Sequence, residues 1–286
     1  MNRARPPYPT ALFHGAFSAF GLSHQGPCRP TNEDRSLIKA LPEACVLVAV
    51  ADGLSGGGAW AAQTVIDALD AIAHAEAFSE LQQRVMELDR AVHGHNFRDG
   101  EFQGKGSTLV CALLSSHRLH WLHVGDSRLY LWRDSMLTQV TEDQTLGRFL
   151  LQEGEISAEQ MPGHYSRHVM DQYIGCGHCE PETGAMQIRL DDQFLVCSDG
   201  LHRALTSAEL QAVFSARTTP QEAAAALVAA AIRNGAEDDI TLVVCARRGS
   251  ASESGKDALE KGMDRSGSNA WTEICCRSRG RQVTCL

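Results

Sequence analysis

The chain has no long apolar run. Its longest, "ACVLVAVA" at residues 44–51, falls far short of the roughly 20 residues needed to cross a bilayer, which argues against an integral membrane protein. The first residues hold Arg3 and Arg5 but also Pro6, Pro7 and Pro9, and no continuous apolar stretch follows them. No secretory signal is visible, so the expected location is cytoplasmic. Basic residues are also in short supply: 26 Lys and Arg against 35 Asp and Glu leave a net charge of −9. A polyanionic ligand calls for a basic surface that displaces its counterions, so nucleic acid is disfavoured as a partner. The glycine run Gly56-Gly57-Gly58 lacks the Lys and Ser/Thr that would make it a Walker A loop.

What is present supports a globular enzyme-sized chain. At 286 residues and 43% hydrophobic composition, one large or two small domains can bury a sizeable core. Ten cysteines would suggest a disulfide framework in a small secreted chain, but not in a chain of this length expected in a reducing compartment. Cys45, Cys111, Cys197 and Cys245 lie inside apolar strand-like runs, where a free thiol serves as a small buried hydrophobe. Cys176 and Cys179, in "GCGHCEP", have the spacing shared by redox proteins and zinc sites.

Hydrophobic period predicts short strands at 44–51, 107–114, 119–125, 128–132, 194–198 and 240–246. Helices are predicted from Ala59, over 79–97 and over 220–235. The last has Thr219 as N-cap, Pro220 at its first position, Glu222 closing a capping box and Gly235 as its stop, and Thr206 with Glu209 repeats the box. Long helices precede and follow runs of hairpin-like strands without β-α-β alternation. This predicts an α+β sandwich of antiparallel sheets. From residue 248 to 286 the composition turns to Ser, Gly and charged residues, as expected of a disordered tail.

Acidic clusters stand at the ends of four apolar runs, at 29–35, 49–58, 124–130 and 196–202, and a fifth at 237–241 opens the last strand. A single Asp at a strand mouth is usually a turn residue. Five such clusters gathered at the edge of one sandwich would repel one another unless cations lay between them. Clustered carboxylate oxygens suit Mg²⁺ or Mn²⁺, whereas zinc more often takes His or Cys. A two-metal hydrolytic centre follows. Gly53 and Gly200, directly after Asp52 and Asp199, would let backbone approach a metal or phosphate closely.

In order and combination these motifs resemble the metal-dependent protein serine/threonine phosphatases, the PPM or type 2C family, and its bacterial branch in particular. The family's R-x-x-N-E-D is matched at 29–34, D-G-x-G-G at 52–57 with one extra residue, G-(S/T)-T at 106–108 and G-D-S-R at 125–128. T-x-D-(H/Q) is matched at 141–144, S-D-G at 198–200 and D-(N/D)-x-(T/S) at 238–241. The resemblance covers residues 17–247, leaves 1–16 as an N-terminal extension, and implies a four-layer αββα sandwich with a variable flap over about 145–180.

It also implies a dinuclear Mn²⁺ or Mg²⁺ centre between the sheets. Asp52 would bridge both ions, Gly53 would offer its carbonyl, Asp199 and Asp238 would complete one shell, and Glu33 and Asp34 would act on the Gly53 side. Asp126 would help hold a third, weaker ion. Arg29 would grip the substrate phosphate, since a planar guanidinium can meet two phosphate oxygens at once. The implied reaction is hydrolysis of phosphoserine and phosphothreonine in proteins by in-line attack of a metal-activated water, without a covalent intermediate. The implied partners are phosphoproteins and an opposing Ser/Thr kinase.

Three departures qualify the match. Leu54 stands where some members carry a His proposed as general acid, Asp239 replaces a common Asn, and the glycine motif is one residue longer. A non-catalytic phosphoprotein-binding module on the same fold and a CxxC redox or zinc protein are the alternatives. His164 and His168 lie four apart, a spacing that can turn two imidazoles to one metal, but they fall in the flap. The CxxC stretch reads as a glycine turn leading into a strand, because Glu180 and Pro181 follow where a redox motif would open a helix.

Overall fold

The computed structural model describes residues 10–54, 57–98, 101–216 and 219–248. The expected tail lies outside the described residues except for Arg248. The chain begins with β1 (Thr10–His14), β2 (Phe17–His24), β3 (Arg35–Leu41), β4 (Cys45–Ala51) and the short β5 (Gly53–Leu54). Two helices follow, α1 (Gly58–Asp70) and α2 (Leu81–His95). Then come β6 (Phe97–Arg98), β7 (Glu101–Phe102), β8 (Gly106–Ser107), β9 (Leu109–Leu114), β10 (Arg118–Val124), β11 (Arg128–Arg133) and β12 (Met136–Gln139). The remainder is α3 (Leu146–Gln152), β13 (Glu182–Gln187), β14 (Gln193–Cys197), α4 (Asp199–His202), α5 (Ser207–Ser215), α6 (Pro220–Arg233) and β15 (Ile240–Arg247).

Among the described residues two large antiparallel sheets result, one ordered β1-β2-β15-β14-β11-β12 and the other β13-β10-β9-β4-β3, beside the two-stranded pairs β5-β8 and β6-β7. Strand β4 explains why its run is apolar throughout. Val46, Val48 and Val50 face the core between the sheets, while Leu47, Ala49 and Ala51 face a second core beneath α1 and α2. A strand covered on both faces loses the polar alternation of a half-exposed one. In β14 and β15 the same alternation divides Phe194, Val196, Val243 and Cys245, toward the inter-sheet core, from Leu195, Leu242 and Val244, which pack under α5 and α6. The order of layers is therefore helix, sheet, sheet, helix, as expected.

Both capping boxes form. Thr206 and Thr219 accept from the amides of Glu209 and Glu222, whose carboxylates accept from the cap amides, an arrangement worth about 1 kcal/mol per helix. Cys45, Cys111, Cys197 and Cys245 are buried free thiols. Strand β1 lies within the stretch set apart as an extension and pairs with β2 from Thr10↔Gly21 to His14↔Phe17.

Candidate metal centre

Strand register gathers the acidic clusters at one edge of the sandwich. Arg35 pairs with Ala51, so Asp34 and Asp52 are neighbours at the ends of β3 and β4. In the other sheet Arg128 pairs with Cys197 and Cys197 with Leu242. That alignment brings the loop of Asp126, the start of α4 at Asp199 and the turn at Asp238 to the same end.

The loops pack backbone to backbone. A Cβ on Gly53 would lie 2.5 Å from the carbonyl carbon of Gly58, and one on Gly200 would lie 2.0 Å from the carbonyl oxygen of Asp239. Glycine is required at both places. The turn at Gly57 has φ 133°, and its amide donates to Glu33 Oε1 at 2.6 Å, tying the 29–34 loop to the start of α1.

Burial pushes Asp52 well above the usual carboxylate range, and the charges of Asp34, Asp199, Asp126 and Asp238 push it further. Asp34 is raised by burial as well, against which Ser198 and Thr241 supply hydrogen bonds; Ser198 Oγ donates to Asp34 Oδ2 at 2.8 Å. Burial lifts Asp126 to about 7, with Asp199 adding to it. Asp199 is raised by burial, with Arg203 opposing the shift and Asp238 adding to it. A group of carboxylates that raise one another in this way gains most from positive charge placed between them.

Arg29 and Asp238 meet at the mouth of the site, where Arg29 Nη2 donates to Asp238 Oδ2 at 2.5 Å and the guanidinium stays 40% exposed. The Asp238 hydrogen bond is the main cause that raises the Arg29 pKa. All eight residues expected at the site thus fall on these loops: Arg29, Glu33, Asp34, Asp52, Gly53, Asp126, Asp199 and Asp238. Among the described residues no three His, Cys, Asp or Glu side chains already converge on one ion position. Glu33 and Asp34 are turned to Gly57 and Ser198. The fit to cations rests on the mutually raised aspartates and on Asp126 Oδ1 and Asp199 Oδ1, two buried oxygens without a hydrogen-bond partner.

Several supporting roles escaped sequence reasoning, although Asp239 and Arg128 stand in the matched motifs. Asp239 accepts the Gly26 amide through Oδ1 at 2.9 Å and the Glu33 amide through Oδ2 at 2.8 Å. It is a staple between loops, and an Asn in the same place would turn its amide nitrogen, a donor, toward one of the two amides. Arg128 grips Asp143 with Nε and Nη2 at 2.7 and 2.6 Å, fixing the 141–144 motif against β11. Arg203, just past α4, donates from Nη2 to Asp126 Oδ2 at 3.0 Å and to Asp199 Oδ2 at 2.8 Å. A cavity of about 660 Å³ opens beside it, lined by Asp126, Arg128, Thr145, Arg167, His168 and Arg203.

Neither histidine pair nor cysteine pair supplies a second centre. His164 Nδ1 meets Ser166 Oγ at 2.5 Å, and His168 Nε2 accepts from Arg167. In the cysteine loop, Gly175 and Gly177 have φ 115° and 89°. Buried Asp89 of α2 accepts the amides of Gly175 and Gly177 through Oδ1 at 2.7 and 3.0 Å, and that of Cys179 through Oδ2 at 3.2 Å. Burial pushes both the Cys176 and the Cys179 thiols up, the opposite of an activated cysteine. The stretch is a turn entering β13, held by a carboxylate 90 residues away on α2.

Comparison with known proteins agrees with this geometry. The family model for protein phosphatase 2C matches residues 41–240. A serine/threonine protein phosphatase of Mycobacterium tuberculosis, PstP, is 34% identical over 227 residues, 74% of this chain. This chain spans 43% of that relative's length. A serine/threonine phosphatase of Listeria monocytogenes is 29% identical over 253 residues, covering 85% of this chain and 97% of the relative. The crystal structure of the M. tuberculosis phosphatase superposes with a TM-score of 0.70 at 30% identity, over 82% of this chain and 99% of that one. A crystal structure of the catalytic domain of a serine/threonine protein phosphatase PstP in complex with two manganese ions gives 0.68 over the same shares. The chain belongs to the protein phosphatase 2C family.

Proposed function

We propose that this chain is a metal-dependent protein serine/threonine phosphatase that hydrolyses phosphoserine and phosphothreonine by in-line attack of water, without a covalent enzyme intermediate. The observation that carries this is the gathering of Asp34, Asp52, Asp126, Asp199 and Asp238 at one sheet edge, with two buried carboxylate oxygens unpaired. Membership of the protein phosphatase 2C family supports it, as do the two manganese ions in the related catalytic domain.

Asp52, the Gly53 carbonyl, Asp199 and Asp238 would hold two Mn²⁺ or Mg²⁺ ions, with Glu33 and Asp34 acting on the Gly53 side. Two divalent cations held there supply Lewis acidity toward water and the phosphoryl oxygens. The protein supplies position. Gly200 and Asp239 lock the Asp199 and Asp238 loops together, and the Gly57–Glu33 bond fixes the loop that carries Arg29.

Arg29, aimed from the mouth of the site by Asp238, presents a planar guanidinium to two phosphate oxygens. Substrates are phosphorylated proteins, opposed by a Ser/Thr kinase, in the cytoplasm. No helix among the described residues is long and apolar enough to cross a membrane.

The test is hydrolysis of a phosphothreonine peptide with Mn²⁺, with EDTA, and by Asp52→Asn and Asp199→Asn. The proposal expects loss on the order of 100-fold or more in each of the last three. Full turnover in EDTA, or in both variants, would sink it.

A further inference from the structure

The Asp126–Asp199 pair already has a cation of its own. One nitrogen atom, Arg203 Nη2, contacts Oδ2 of Asp126 at 3.0 Å and Oδ2 of Asp199 at 2.8 Å. A single positive atom shared between two carboxylates is the arrangement a bridging metal ion would otherwise supply.

The clasp is made from both sides of one dipeptide. His202, immediately before Arg203, meets the backbone carbonyl of Asp126 through Nε2 at 2.9 Å. A carbonyl oxygen only accepts, so the imidazole donates this bond. The guanidinium of Arg203, which touches both carboxylates, carries the positive charge of this clasp. Its anchor is short, because Asp199 and Arg203 stand one helical turn apart at α4, and residues at this spacing face one another. The Oδ1 atoms of Asp126 and Asp199 are buried without a hydrogen-bond partner.

We propose that Arg203 is a tethered cation that takes the place of a third metal ion between Asp126 and Asp199, so that this chain works with two exchangeable ions. The inference rests on the two-metal reading above and corrects its extension to Asp126 as a ligand. A divalent ion entering between the Oδ2 atoms must first expel the guanidinium, which the neighbouring cavity leaves room to do only if its two charge-assisted bonds are given up.

The test counts bound ions rather than turnover. Mn²⁺ is titrated into the full-length wild-type chain, Arg203→Ala, Arg203→Met and the double variant Arg203→Ala/Asp126→Ala, with free Mn²⁺ read by electron paramagnetic resonance. Wild type is expected to saturate at two ions per chain. Both single variants gain a third, weaker one, and the double variant returns to two. The Met variant keeps most of the side chain's bulk without its charge, so a folding defect in Arg203→Ala does not end the test. Three ions on wild type, or two on both single variants, overturns the role of Arg203 alone. Fewer than two on wild type overturns the two-metal reading, and this inference with it.

Discussion

Gly200 lies directly under the backbone of Asp239: a Cβ on the glycine would stand 2.0 Å from the aspartate's carbonyl oxygen. The clash would be with main chain, which cannot rotate away as a flexible side chain can. Two loops that carry Asp199 and Asp238 are thereby held at fixed separation. Gly200→Ala is expected to cost about 1–3 kcal/mol through forced backbone shifts and to weaken Mn²⁺ binding. Urea unfolding with and without Mn²⁺ checks both effects.

The aspartate cluster sets a pH dependence in the metal-free protein. Asp34, Asp52, Asp126 and Asp199 all have raised pKa values in the folded state. The folded chain then keeps protons that the unfolded chain has released, so stability falls as pH rises toward and through the folded values. For Asp126 that point is about 7. Buried His123, half-buried His24 and His202, and His168, all lowered, act in the opposite sense. Their effect operates below about pH 6.5, where the unfolded imidazoles charge. From about pH 6.5 to about pH 8 the carboxyls dominate. Wild type in chelator is expected to lose stability across that window, Asp126→Asn to lose less, and saturating Mn²⁺ to flatten the slope. Denaturation midpoints at the two pH values decide it.

Asp89, and not the cysteines, governs the loop at 175–179. Its carboxylate satisfies three amides, and Asp89→Ala would leave these buried donors unpaired. A loss of about 3 kcal/mol or more follows from the cost of unsatisfied buried groups, to be read from urea unfolding. Cys176→Ala with Cys179→Ala is expected to leave phosphopeptide turnover within a few-fold, since neither thiol is activated. Abolished turnover in that double variant would restore the redox alternative.

The strands with continuous apolar runs, such as β4 and β15, were legible because burial on both faces leaves a strong local signal. Strands β2 and β3 carry no such run. "FSAFGLSH" mixes Ser, Gly and His with its apolar positions, and "RSLIKAL" is largely half-buried. The ligand candidates were legible because each Asp sits beside a Gly or at a strand end in a recurring motif. Asp239, Asp89 and Arg203 were not, because their roles depend on partners distant in sequence or on a turn whose direction is a tertiary fact. Asp239 acts on Gly26 and Glu33, more than 200 residues earlier.

Anomalous diffraction from a crystal soaked in Mn²⁺ tests the central claim most directly. The account predicts two manganese peaks against the Asp52 carboxylate, reached also by Asp199, Asp238 and the Gly53 carbonyl. A fully occupied crystal with no peak at Asp52, or with manganese held at Cys176 and Cys179 instead, would contradict it.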